Sequence, residues 1–202
     1  TIDELVAVVA RTLFEKHGNV LVPAFAVGRT QELLYWFQRL TLEGLLPALE
    51  VFVDSPLAAE VTAITARHFE LFDEEARALA TAARHERRRV HIHYTRSVAE
   101  SMALNRVSGG AVIVAASGMC DGGRIKHHLA RNIARPDSTI LFAGFQSPGT
   151  LGRQILDGSQ EVRIHGRFVP VLAKIEQIHG LSGHADRGGL RRWLSAFQRP
   201  PK

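Results

Sequence analysis

The pattern that most constrains the fold of this 202-residue chain is a short apolar run followed by a loop and the start of a helix. The pattern occurs at residues 20–26, 50–56, 111–124 and 139–153. Apolar strands that alternate with helices in this way are typical of a mainly parallel sheet with helices on both faces. The sequence therefore predicts an α/β fold whose post-strand loops gather at one edge of the sheet.

The stretch VIVAASGMCDGGRI, at residues 112–125, is the best candidate for a ligand loop. An apolar run leads into Ser117 and Gly118, and Gly122 and Gly123 precede a predicted helix. Free N–H groups at such a turn can bind an anion. The spacing matches neither the P-loop nor G-x-G-x-x-G. The residues alone therefore predict a phosphate or ligand loop without specifying its chemistry.

Two other loops carry polar residues in equivalent places. The first leads to Arg29, at the start of a predicted helix that Thr30 could cap. Arg29 is either a phosphate contact at that helix start or a surface ion-pair partner. The second loop, GFQSPGTLGR, contains Gln146, Gly149 and Thr150 and again precedes a helix.

Other polar residues receive a structural interpretation at this level. Asp54 or Ser55 is the predicted N-cap of a helix with Pro56 at its first position, and capping accounts for Asp54 without a catalytic role. His91 and His93 have a spacing that zinc sites use, but no further donors follow, so they are not predicted to bind metal.

His184 lies in GLSGHAD, directly before a predicted helix and after Ser182 and Gly183. A histidine beside glycine is accessible and can act as an acid or contact a phosphate. Alternatively, His184 only caps the next helix. The residues alone leave both interpretations open.

Charge and composition narrow the possible partners. The net charge is +5, and arginine greatly outnumbers lysine. An excess of arginine suits the binding of polyanions, because the guanidinium group binds phosphate oxygens in pairs, but a GC-rich genome would also favour arginine.

The single cysteine, Cys120, excludes an internal disulfide and indicates a reducing, cytoplasmic setting. No run of about 20 apolar residues occurs, so no membrane span is predicted.

Taken together, these segments resemble the β-CASP family of metallo-β-lactamase-fold nucleases. The resemblance is carried by VLVPAFAVGRTQELL at 20–34, VIVAASGMCDGGRIKHHL at 112–129 and GLSGHAD at 180–186. VFVDSPLA, SVAESMALN and GFQSPGTLGR lie between them in the expected order. The similarity covers nearly the whole chain. Within the family, the chain most resembles ribonuclease J and the cleavage-and-polyadenylation endonucleases, of the bacterial or archaeal single-chain type.

The resemblance implies that two domains have different functions. In that family a metallo-β-lactamase domain binds two zinc ions and activates water, while a Rossmann-like β-CASP domain clamps nucleic acid. Residues 1–180 would then be the β-CASP substrate-binding domain, and 181–202 the first part of a returning metallo-β-lactamase segment. His184 falls on the family's motif B histidine and would be catalytic at the scissile phosphate. The implied substrate-binding residues are Arg29, Ser117, Gly118, Gly122, Gly123, Gln146, Gly149, Thr150, Ser182 and Gly183.

The family's His-x-His-x-Asp-His zinc motif does not occur in these 202 residues. Its motif A carboxylate is expected upstream of Thr1 and its motif C histidine downstream of Lys202. The resemblance thus implies a piece of a zinc-dependent ribonuclease that is inactive alone, binds no zinc itself and needs the missing metallo-β-lactamase domain. Single-stranded RNA is the expected partner, although some relatives cut DNA, and the intact protein could pair as a homodimer.

Two alternatives remain at this level. The chain could be a stand-alone module that binds nucleic acid or nucleotides without catalysis. It could also be a structural adaptor for another protein, which would be marked by an apolar patch at the edge of the crevice.

Overall fold

The computed structural model describes residues 2–85, 90–181 and 184–199. Eight strands are present in these ranges: β1 Val20–Pro23, β2 Leu49–Asp54, β3 Val90–Tyr94, β4 Ala111–Ala115, β5 Thr139–Phe142, β6 Glu161–Ile164, β7 Arg167–Pro170 and β8 Lys174–Gln177. The α-helices of the same ranges are α1 Ile2–Ala10, α2 Arg29–Leu42, α3 Pro56–Arg67, α4 Glu74–His85, α5 Val98–Ala103, α6 Ile125–Asn132, α7 Leu151–Leu156 and α8 Arg187–Ser195.

Six strands form one sheet in the order β3-β2-β4-β1-β5-β8, and every neighbouring pair is parallel. Strands β1, β4 and β5 are buried along their whole length, as expected for strands covered on both faces. The α/β prediction with a mainly parallel sheet is thus confirmed. The remaining strands, β6 and β7, form a separate antiparallel hairpin around His165 and Gly166, which the alternation of polar and apolar residues at 161–171 predicts.

The core has one half on each face of the sheet, because successive residues of a strand point to opposite faces. In β4, Val112 and Val114 join the half that contains Phe37 of α2, together with α1. The intervening Ile113 joins the other half, which contains Leu129 of α6. Helices α2 and α6 therefore cover opposite faces.

The strand order creates a crevice at the carboxyl ends of β1 and β4. After β1 the chain crosses to β2 on one side of the sheet, and after β4 it crosses to β5 on the other side. The helices that follow β1 and β4 consequently diverge onto opposite faces. Ligands of open parallel sheets bind in the crevice that such a divergence leaves.

Two predicted helix ends are wrong. The apolar repeat of residues 1–17 predicts a first helix closed by Gly18, but the helix instead ends in a π-helical turn, Arg11–Glu15, before His17 with φ 56°. Glycine is needed at position 18 for another reason, since a Cβ there would lie 2.0 Å from the carbonyl oxygen of Asp137.

Thr30 is not the cap of α2, because Gly28 holds that position. The Gln31 Oε1 atom accepts a hydrogen bond from the Gly28 N–H at 2.7 Å, while the Thr30 hydroxyl donates to the carbonyl oxygen of Phe25 at 2.8 Å. The cap of α3 is Ser55, whose Oγ accepts from the Ala58 N–H at 3.2 Å. Across the described ranges, no helix combines the length and apolarity required to cross a membrane.

Candidate functional site

A cavity of about 700 Å³ opens at the crevice, between the loops that follow β1, β4 and β5. Its lining includes four residues that the sequence singled out: Arg29, Gly118, Gln146 and His184. They come from four separate segments of the chain, which the parallel sheet brings to one edge. We take this cavity as the candidate functional site.

Hydrogen bonds fix the β4 loop against the β5 loop at the floor of the cavity. Gln146 donates from Nε2 to the carbonyl oxygen of Gly118 at 3.0 Å. The N–H of Gly152 donates to the carbonyl oxygen of Met119, also at 3.0 Å. The Asp121 carboxylate accepts from the first backbone N–H of α7 at 2.9 Å. The two loops therefore form one braced surface.

Gln146 is buried, and this limits its availability to a substrate. Its Nε2 is committed to the β4 loop, and its Oε1 has no hydrogen-bond partner among the described residues. A Cβ at Gly152 would lie 1.9 Å from that Oε1 atom. Gln146 thus acts here as an internal brace that needs glycine beside it.

The main charge in the cavity is already paired. Arg29 donates from Nη1 to Glu32 Oε2 at 2.7 Å, and the Arg29 side chain is only 16% exposed. Burial raises the pKa of the Glu32 carboxyl above its ordinary value, although the charge of Arg29 opposes this. An incoming phosphate must therefore share the guanidinium with a carboxylate.

Two aromatic rings stand at the cavity with more than half of their surface exposed, 53% for Phe25 and 68% for Phe145. The Phe25 ring lies over Gly118, where an added Cβ would approach it to 3.1 Å. Exposed aromatic rings in a groove are platforms on which nucleobases stack without strong sequence preference. The cavity thus combines a cation, an imidazole and two stacking surfaces.

The structure does not bring the other predicted glycines of the β4 and β5 loops to the cavity wall. Gly122, Gly123 and Gly149 are absent from the lining. Gly123 has φ +75°, and a Cβ on it would lie 2.4 Å from the carbonyl oxygen of Ala116. Glycine at position 123 is therefore explained by the shape of the loop.

The predicted hydroxyl contacts are also engaged within the protein. Ser117 donates from Oγ to the carbonyl oxygen of Gly122 at 3.4 Å. Thr150 is the N-cap of α7, where its Oγ1 accepts from the Arg153 N–H at 3.2 Å and donates to a nearby carbonyl oxygen at 2.7 Å. Both remain predicted substrate contacts without support from the cavity. Ser182 and Gly183 lie outside the described residues.

A buried polar cluster around Asp54 was missed by the sequence interpretation. The Asp54 side chain is fully buried and accepts hydrogen bonds from Ser101 at 2.6 Å, Arg124 at 2.8 Å and His128 at 2.6 Å, and one from the Thr95 hydroxyl. Burial opposes ionisation of this carboxyl, but the donors outweigh burial and hold its pKa well below the ordinary value. Asp54 is thus a buried carboxylate and not a helix cap.

The Asp54 cluster fixes the position of the β4 loop, which lines the candidate site. Arg124, which precedes α6, also donates to the carbonyl oxygens of Thr95 at 3.3 Å and Arg96 at 3.0 Å. The end of the β4 loop is therefore tied to the ends of β2 and β3. One signal could have indicated this cluster: Asp54 ends a strand, at the edge where parallel sheets collect functional groups.

The described part of the chain contains no group of three or more His, Cys, Asp or Glu side chains that could bind a metal ion. His93 lies 2.7 Å from a Glu50 carboxylate oxygen through Nε2 and stacks on Phe52, with ring centroids 4.7 Å apart. A pair of this kind is an exposed cross-strand contact.

Comparison with known protein families gives two matches. Residues 30–155 match the model of the Beta-Casp domain. Residues 169–201 match the model described as the Zn-dependent metallo-hydrolase RNA specificity domain. The first match covers β2 to β5 and the loops after β4 and β5, whereas the loop after β1 and His184 lie outside it.

Comparison with individual proteins gives relatives over nearly the whole chain. Ribonuclease TTHA0252 of Thermus thermophilus is 36% identical over 199 residues, which are 98% of this chain and 46% of that protein. The transcription termination factor FttA of Methanosarcina mazei is 29% identical over 96% of this chain and 31% of its own length. An RNase J-like protein of Methanocaldococcus jannaschii is 26% identical over 98% and 45%. The chain thus spans less than half the length of these relatives.

Proposed function

The chain belongs to the β-CASP family of RNA-processing nucleases, and on this premise we propose that it is the substrate-binding part of a zinc-dependent ribonuclease. The observation that carries the proposal is the crevice cavity, where Arg29, Gly118 and His184 meet beside exposed aromatic rings. Cations with stacking surfaces in one groove are the usual means of binding single-stranded nucleic acid.

In this proposal a single RNA strand lies across the crevice. Arg29 exchanges part of its interaction with Glu32 for a phosphate, which a guanidinium fork can bind through two oxygens. Phe25 and Phe145 stack on bases. Such contacts position the strand without reading its sequence, so we expect weak sequence preference and some binding of single-stranded DNA.

His184 is the proposed catalytic residue of the intact enzyme. It stands at the cavity, on a segment separate from the binding loops. An imidazole at the scissile phosphate can donate a hydrogen bond to the phosphate or a proton to the leaving oxygen. The role requires the substrate to be held in place, which is the task of the braced β4 and β5 loops.

Zinc is implied by the family model that matches residues 169–201. The described residues do not fit a zinc centre, since they form no suitable group of donors, and we derive no step that passes through the metal. We propose that the intact enzyme binds its zinc ions through residues outside this sequence. In the same proposal residues 1–180 form the substrate-binding domain, 181–202 begin the returning segment, and the chain alone does not cleave RNA.

The test is binding of a fluorescent single-stranded RNA to the 202-residue chain at several salt concentrations, with cleavage followed in the same samples. We expect binding that weakens with salt, because phosphate contacts release counterions, and no cleavage. Phe145→Ala and Arg29→Ala should weaken binding. Arg67→Ala, which removes one exposed charge from the end of α3, is the matched control and should not.

Absence of RNA binding at low salt would refute the proposed function. Cleavage by the chain alone would refute the assignment of catalysis to an additional zinc-binding part. Cleavage by the natural protein that contains this sequence distinguishes the proposal from the alternative of a stand-alone binding module. A module would bind RNA without cutting it even in that protein.

A further inference from the structure

A second groove, of about 420 Å³, lies between α5 and α6. Its walls include the cationic side chains of Arg124 and Arg131, the imidazole of His127, and the apolar side chains of Val98 and Met102. The sequence interpretation gave this groove no role, and it is separate from the crevice cavity.

The groove and the cavity are joined by the β4 loop. Gly118 lines the cavity and Arg124 lines the groove. Six residues of extended chain span at most about 21 Å, so the two sites lie within that distance of each other. A single strand that leaves the cavity along this loop would meet the groove next.

The charge balance of the groove differs from that of the cavity. Arg124 is balanced by the buried Asp54 carboxylate. Arg131 and His127 are exposed, and neither has an ion-pair partner in the described part of the chain. No Asp or Glu lines the groove, whereas Glu32 lines the cavity. The groove therefore offers the guanidinium group of Arg131, which no carboxylate of the described residues neutralises, beside the imidazole of His127.

A second imidazole and a lysine lie beside the groove. His127 stacks on His165 of the β6–β7 hairpin, with ring centroids 4.5 Å apart. Burial lowers the pKa of His165, and the nearby charges of His127 and Lys126 lower it further. Lys126 thus adds a positive charge beside the groove, which favours the approach of a polyanion.

The apolar wall of the groove is exposed to solvent. Val98 and Met102 are 68% and 63% exposed, although both are hydrophobic. An apolar wall beside cationic side chains accommodates a nucleotide, with the base or ribose on the wall and the phosphate at the cations. The groove volume lies within the range that holds small organic ligands.

We propose that the groove between α5 and α6 is a second contact site for single-stranded RNA, which binds the sugar–phosphate backbone of a strand that also occupies the crevice cavity. The inference rests on the proposed function, since the ligand is the same RNA. Arg131 and His127 are the phosphate contacts, and Val98 with Met102 supports a base or ribose.

The experiment compares two RNA lengths on the 202-residue chain. An RNA of about 12 nucleotides can reach both sites, whereas one of about four nucleotides fills only one. Arg131→Ala with His127→Ala is the groove variant, Arg29→Ala the cavity variant, and Arg67→Ala the matched control. The groove substitutions remove exposed side chains that form no side-chain hydrogen bond with the described residues, so the fold should persist, and a thermal melt checks this.

For the groove variant we expect about tenfold weaker binding of the longer RNA, because charge-assisted contacts are lost. The slope of log affinity against log salt should fall by about one for each phosphate contact removed. Affinity for the short RNA should not change in the groove variant, but it should fall in the cavity variant.

Equal affinity of the groove variant and the Arg67→Ala control for the longer RNA would overturn the second site while leaving the proposed function intact. Equal losses for both RNA lengths would also overturn it, since a general charge effect would then explain them. If the unmodified chain binds neither RNA at low salt, the proposed function itself has failed.

Discussion

Asp54 offers the sharpest test of how the site is held together. Asp54→Asn keeps the shape of the side chain but removes its charge and replaces one acceptor oxygen by a donor. His128, which is 2% exposed, and the partly buried Arg124 would then lose their anionic partner. An unpaired buried cation is costly because it lacks both its partner and water.

The size of the effect follows from the geometry. Arg124 Nη1 lies 2.8 Å from Asp54 Oδ1. Unit charges at that distance attract by about 6 kcal/mol at an effective dielectric constant of about 20. Desolvation offsets part of this attraction, and removal of one member of a buried pair costs about 3–5 kcal/mol. The loss is large beside the roughly 5–15 kcal/mol of a typical domain.

Urea unfolding followed by circular dichroism near neutral pH measures the free energy of unfolding of both proteins. Asp157→Asn is the matched control, since Asp157 forms an exposed ion pair with Arg153 at 2.8 Å. Such pairs contribute at most about 1 kcal/mol.

The pH dependence has a defined sign. The pKa of Asp54 is lowered from 3.8 in the folded protein, so its contribution is present above that value and is lost as the pH falls below it. The stability difference between the two proteins should therefore shrink below about pH 4. A difference under about 1 kcal/mol at neutral pH, or one that does not change in acid, would refute the reasoning.

Three further predictions concern the β4 loop and the proposed catalytic histidine. Gly123→Ala should cost about 1–3 kcal/mol in urea unfolding, because a side chain at φ +75° is strained, whereas Gly122→Ala, with open space around it, should cost little; equal costs would contradict this. Burial, aided by the charge of Asp121, raises the pKa of the Cys120 thiol to about 12, so its reaction with a disulfide reagent near neutral pH should be as slow as unfolding, and rapid labelling of the folded chain would contradict its burial. In the intact enzyme, His184→Ala should greatly reduce turnover while metal content, measured by atomic absorption, stays unchanged; normal turnover would exclude the catalytic role.

The elements of the sheet could be predicted because each one depends on neighbouring residues. The run from Val20 to Pro23 is apolar throughout and forms a strand buried on both faces. Ser55 followed by Pro56 begins a helix because a hydroxyl cap and a fixed φ act within one turn. Once these elements alternate, the sheet edge that carries the site follows from topology.

The Asp54 cluster could not be predicted because its members are far apart in sequence. Ser101, Arg124 and His128 lie 47, 70 and 74 positions from Asp54. Helix capping alone explains Asp54 as judged from its neighbours in sequence. Its role as the acceptor of a buried cluster becomes visible only when β2, β3 and β4 lie side by side in the sheet. The Thr150 hydroxyl is used within its own turn, and its contact with a substrate stays a prediction.

The strand order also bears on where this chain can be cut. The central strand β1 and the edge strand β8 both lie outside residues 30–155, the stretch that matches the Beta-Casp family. Strand β8 falls instead within the match at 169–201, yet it pairs with β5 from Thr139 to Phe142. A truncation at either family boundary would therefore remove a strand from this sheet and leave one side of β5, or of both β4 and β5, without its hydrogen-bonded neighbour. The segment that matches the Beta-Casp family is therefore shorter than the sheet to which it contributes.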